Sequence, residues 1–141
     1  MELKMPPATI LWHDPEQSIL RTEYSGAWTW DDFHTAVDTA VEMMKSVPHR
    51  VDLIVAPQPN SVMPHSSADP HLKRAIQMLP PNFGIQVIVT RNAWSRAMAS
   101  IFTKLFSNGS FKGRLYFVAN VDEADKLIQR DRVRGIIKAS A

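Results

Sequence analysis

Two short apolar runs, Val51-Asp52-Leu53-Ile54-Val55-Ala56 and Ile85-Gln86-Val87-Ile88-Val89, decide the fold. Each has the β-branched content and the length of a buried strand. Between them, Asp69-Pro70 opens a helix: Asp69 is placed to cap it, and proline suits the first helical position. Leu72, Ala75, Ile76 and Leu79 give this helix an apolar stripe, and Pro80-Pro81-Asn82 stops it. The loop from Pro57 to Ala68 holds three prolines and three serines. Strand, helix and strand joined by a right-handed crossover place the two strands parallel.

The pattern continues in both directions. Upstream, residues 8–13 and 18–25 read as two short strands around the turn Asp14-Pro15-Glu16-Gln17, which makes a hairpin. In the second, Leu20, Thr22 and Tyr24 alternate with Ile19, Arg21 and Glu23. Gly26 ends the hairpin, and Thr29 caps a helix that buries Trp30, Phe33, Val37, Ala40, Val41 and Met44. Downstream of the fourth strand, Asn92 is placed to cap a helix with a wide apolar face from Ala93 to Phe106. A strand over 114–119 follows. Asn120-Val121-Asp122-Glu123 then opens a last helix with Ala124, Leu127 and Ile128 inward. Residues from about 132 to 141 read as a flexible tail.

The order is therefore β-β-α-β-α-β-α-β-α. It predicts an α/β fold: a mixed, mostly parallel sheet of about five strands with helices on its faces. The first strand is antiparallel and at an edge. The 141 residues make one domain, with a core over about 8–130. Hydrophobic residues at 45% and charged residues at 21% are a globular balance. The absence of cysteine excludes disulfide scaffolds, thiol catalysis and cysteine-ligated zinc or iron–sulfur sites. No run reaches the ~20 apolar residues that span a bilayer, and Met1 to Pro7 does not read as a signal peptide. The expectation is a soluble, cytoplasmic protein with no bound cofactor.

This order, and four stretches of the sequence, resemble the STAS domain, the fold of bacterial anti-sigma-factor antagonists and of the cytoplasmic part of sulfate transporters. The stretches are Gly26-Ala27-Trp28-Thr29-Trp30-Asp31-Asp32-Phe33, Val51-Asp52-Leu53-Ile54-Val55, Pro80-Pro81-Asn82-Phe83-Gly84 and Val121-Asp122-Glu123-Ala124. They look most like the small stand-alone anti-sigma-factor-antagonist-like proteins, over about residues 8–130. The resemblance implies a non-enzymatic regulatory module that binds a protein partner or a ligand. It also implies a phosphoacceptor serine at the start of the helix after the third strand, where Ser66 and Ser67 stand. The family's Asp-Ser signature is replaced here by Asn60-Ser61-Val62-Met63-Pro64-His65-Ser66-Ser67-Ala68-Asp69.

Ligands of open α/β sheets bind beyond the carboxyl ends of the parallel strands. That rim collects Ser61, Thr90, Arg91, Asn92, Ser95, Arg96 and Asn120, and helix starts there favour an anion or a partner's acidic group. The plainer reading is that these are caps and solvated loop ends. A second candidate is an apolar pocket lined by Trp12, Trp28 and Trp30, fit for a carrier or sensor of a small molecule. A hydrolase is disfavoured: Ser66, His65, His71 and Asp69 crowd one proline-rich loop with no nucleophile elbow. His65 and His71 lack further metal ligands, and His13, His34 and His49 are scattered.

The net charge of +2 divides unevenly, with −6 over residues 1–69, +7 over 70–120 and +1 over 121–141. If the first and last helices share one sheet face and the second and third the other, the molecule is electrically polarised. Such a field steers charged partners and favours self-association, and the apolar hairpin edge admits a homodimer. Nucleic acid is not expected, because the basic helices lack exposed aromatic platforms.

Overall fold

The computed structural model describes residues 6–90, Ser100, Lys104 and 113–140, without the side chains of the last five. The strands are β1 (Ala8–Trp12), β2 (Ile19–Tyr24), β3 (Val51–Val55), β4 (Phe83–Val89) and β5 (Leu115–Val118). The helices are α1 (Trp30–Lys45), α2 (Asp69–Met78) and α3 (Val121–Ser140). The sheet order is β1-β2-β3-β4-β5; β1 pairs antiparallel with β2, and the other pairs are parallel. The expected α/β class and mixed sheet are present, and β1 forms an edge. The helix expected over 92–106 lies outside the described residues except for Ser100 and Lys104.

Local chemistry explains the element ends. Asp14 takes the backbone N–H groups of Ser18 and Ile19, each at 2.9 Å, as well as the Ser18 hydroxyl, and this closes the hairpin turn. Thr29 and Asp32 form a reciprocal capping box at the start of α1. At α3 a related pair caps the start: Asn120 Oδ1 accepts from Glu123 N at 2.8 Å, and Glu123 Oε2 accepts from the N–H of Ala119, one residue before the cap, at 3.0 Å. At α2 the N-cap is Ala68, with no side-chain bond, and Asp69 is already helical. Asp69 therefore complements the helix dipole instead of capping.

Two expectations change. The stretch from 132 is not a tail: α3 continues through Ser140, and Arg132 is bound to the sheet. The helices also divide differently between the faces. Residues of α1 and α2 share one core with Leu20, Tyr24, Leu53, Phe83 and Ile88. Ala124 and Ile128 of α3 pack on the other face, against Ile19, Ile54, Ile85, Val87 and Val89. The strand order explains this. Each parallel strand is added on the same side of the last, so crossovers of one hand must all pass over one face. The acidic α1 and the basic α2 therefore lie side by side, and Arg74 pairs with Asp38 at 3.2 Å. The expected division of α1 from α2 by sheet face does not occur.

The α3 face is tied to the sheet by charge. Asp52 is fully buried. It accepts from Arg50 Nε at 2.9 Å, Arg132 Nε at 2.8 Å and Ile85 N at 2.8 Å. Arg132 also reaches Ser18 O at 2.8 Å, and Arg50 reaches Asp131 at 2.7 Å. Position 84 must be glycine, since a Cβ there would overlap the Asp52 carboxylate and the Arg50 guanidinium.

Candidate functional site

The α1–α2 face is incompletely filled. The inward residues of α1 include Ala36 and Ala40, one turn apart, and α2 contributes Ala75. These small side chains stand over Thr22, Leu53, Val55 and Ile88 of the sheet and leave a cavity of about 90 Å³. Its remaining described walls are mostly aliphatic and aromatic, with Trp28 and Phe33 among them. A dry engineered cavity of about 150 Å³ accepts benzene with room to spare, so this one is on the scale of one compact ring of about five or six heavy atoms.

Three polar side chains of the sheet reach the cavity wall: Thr22, Tyr24 and Gln86. Thr22 makes a long bond to Ile54 O at 3.4 Å. Tyr24 is 6% exposed, and among the described residues its hydroxyl has no hydrogen-bond partner. Burial pushes its pKa above the usual tyrosine value, so the group is a neutral donor and acceptor at any working pH. The Tyr24 ring is fixed by Trp28 at 4.8 Å and Phe33 at 6.5 Å.

The tryptophans separate. Trp28 and Trp30 meet edge-to-face at 5.4 Å, but of the two only Trp28 lines the cavity. Trp12 pairs with Leu20 while Ala8 pairs with Tyr24. That register puts Trp12 four residues along the hairpin from the Trp28 end, ~13 Å away. The structure thus brings Trp28 and Trp30 together, and of the expected trio Trp28 alone lines the cavity beneath α1 and α2.

The three described rim residues, Ser61, Thr90 and Asn120, are engaged locally. Ser61 is buried, and its hydroxyl donates to Gln58 O at 2.8 Å. Thr90 donates to Val118 O at 3.1 Å, and Asn120 caps α3. Arg91, Asn92, Ser95 and Arg96 lie outside the described residues. Ser66 and Ser67 are exposed immediately before α2. Among the described residues no hydrogen bond joins Ser66 or Ser67 to His65, Asp69 or His71.

The sequence reading passed over one cluster. His34 of α1 and His71 of α2 are hydrogen-bonded, Nε2 to Nδ1, at 2.7 Å. Arg74 Nη1 contacts His34 Nδ1 at 3.0 Å, and Arg74 Nη2 donates to Asp38 at 3.2 Å. The His71 ring stacks on Trp30 at 4.5 Å with 9° between planes. Burial, then the nearby Arg74 and His71, lowers the His34 pKa against the opposing pull of Asp38 and Asp31. No sequence motif announces this cluster, because its members are 37 and 40 residues apart and meet only when α1 and α2 share a face.

No protein-family model, curated protein or solved structure matches this chain. Among the described residues, no helix is long and apolar enough to cross a membrane, and no group of three metal-ligating side chains occurs. The site's own geometry is left to carry the functional reading.

Proposed function

We propose that this chain is a non-enzymatic, STAS-like module that senses or carries a small, mainly apolar molecule in the cavity beneath α1 and α2. The observation that carries the reading is a cavity of about 90 Å³ with apolar walls, lined by Tyr24, whose hydroxyl has no hydrogen-bond partner among the described residues. The ligand is neutral and carries one polar atom for Tyr24, since no charged side chain among the described residues lines the space. The test uses three probes of one shape: cyclopentane, cyclopentanol and cyclopentanecarboxylate. Cyclopentanol should raise Tm and shift the methyl resonances of Val41, Leu72, Ile76 and Ile88, with cyclopentane weaker and the carboxylate without effect. Ala40→Leu, which fills the space, should abolish these shifts. If no probe moves these methyls, or if the carboxylate binds as well as the alcohol, the reading fails.

A second reading concerns the loop after β3. Ser66, Ser67 and half-exposed Val62 offer a partner surface, and a phosphate on either serine would sit at the amino end of α2. Mass measurement of protein taken from its own cells should show a phosphate there; unmodified protein under all growth conditions would remove this reading.

A further inference from the structure

The hydrogen-bond chain Arg74–His34–His71 has only one consistent proton arrangement. Arg74 always donates, so His34 Nδ1 must accept. Neutral His34 then carries its proton on Nε2 and donates to His71 Nδ1. Neutral His71 in turn carries its proton on Nε2. The 2.7 Å gap between the rings has room for one proton. Any added proton breaks the arrangement. On His34 it sets an N–H against Arg74; on His71 it sets an N–H against His34.

The two rings have different surroundings. His34 lies against the Arg74 cation, whereas His71 lies flat on Trp30 at 4.5 Å, where a cation is attracted to the ring face. The groups facing the pair are Arg74 from α2 and Asp31 and Asp38 from α1. β1, which also packs on α1, has no titratable side chain. An added proton on either ring therefore removes one of the three bonds that join α1 to α2 here, His34–His71, Arg74–His34 and Arg74–Asp38.

We infer that the His34–His71 pair is an acid-sensitive latch between α1 and α2 that controls access to the cavity between them. The mechanical link is short. His71 stacks on Trp30, Trp30 meets Trp28 at 5.4 Å and Phe33 at 5.3 Å, and both of those line the cavity. The coupling to ligand rests on the proposed cavity function; the latch itself does not.

The lowered His34 pKa gives a sign that can be measured without ligand. With the folded value below the ordinary 6.5, the unfolded chain binds more protons as pH falls under about 6.5. Stability is therefore full above that pH and declines as the pH drops through the folded value.

The experiment follows the histidine ring resonances of the full chain by NMR from pH 8 to 5, and cyclopentanol binding at pH 7.5 and 5.5. It compares wild type with His71→Phe, which keeps a ring on Trp30 but cannot titrate. The wild-type rings should titrate together, and affinity should weaken about three- to tenfold at the lower pH, the worth of one hydrogen bond. His71→Phe should bind equally at both values. Independent titration of the two rings would overturn the latch, as would an unchanged pH dependence in His71→Phe. Coupled titration in a protein that binds no probe at any pH would leave the latch standing and dismiss the cavity reading alone.

Discussion

On the α3 face, Asp52 is fully buried and meets two arginines and a backbone N–H. On the α1–α2 face, Tyr24 is nearly as inaccessible, and among the described residues its hydroxyl meets nothing. The two faces also treat a shared motif differently. Arg21 contacts His13 Nδ1 at 3.2 Å, and the far nitrogen of His13 reaches the Asp125 carboxylate at 3.4 Å. Arg74 contacts His34 Nδ1 in the same way, but the far nitrogen of His34 meets a second imidazole. A carboxylate can only accept, so the first chain can lose one bond on protonation and keep the other. An imidazole at that place can change from acceptor to donor. The difference teaches where the molecule is fixed and where it can respond. One face is fastened by a charge network that leaves no buried acceptor to spare at Asp52, and the other keeps space, a spare hydroxyl and a proton-limited contact.

The largest test of this contrast is Asp52→Ala. It strips two guanidinium groups and the Ile85 N–H of their common acceptor and should cost about 3–5 kcal/mol by urea denaturation. Asp52→Asn, which retains an acceptor for Ile85, should lose less. If Asp52→Ala unfolds at the same urea concentration as wild type, the α3 face is not held by charge and the contrast collapses.

The extent to which these features can be read in the sequence follows their range. Strands at 51–56 and 85–89, the hairpin turn at Asp14 and the Thr29 cap depend on neighbours within a few residues, and pattern alone locates them. The face shared by α1 and α2 depends on strand order, which no local pattern states. The cavity is a sum of small deficits at Ala36, Ala40 and Ala75, each of which looks like an ordinary helix residue. Trp12, Trp28 and Trp30 draw attention through size, yet the register of β1 on β2 carries Trp12 to the far end of the hairpin. Asp52 did have a signal: an acid inside an apolar run, preceded by Arg50, needs a buried partner. Arg132, its other partner, lies 80 residues away in a stretch whose composition resembles a tail.

The smallest effect is the most discriminating. Tyr24→Phe removes one oxygen from the cavity wall. A buried hydroxyl with a protein partner contributes about 1 kcal/mol, and its loss also strands that partner. Here no partner among the described residues is stranded, so the variant should unfold within about 0.5 kcal/mol of wild type. Its effect should appear in ligand preference instead. Cyclopentanol should lose its advantage over cyclopentane, while cyclopentane binds as before, because only the alcohol has an atom for the hydroxyl to meet. A destabilisation of about 1 kcal/mol or more with unchanged probe preference would mean that Tyr24 is committed to the fold. The hollow face would then hold no polar atom in reserve, and the distinction between a fixed face and a responsive one would rest on the histidine pair alone.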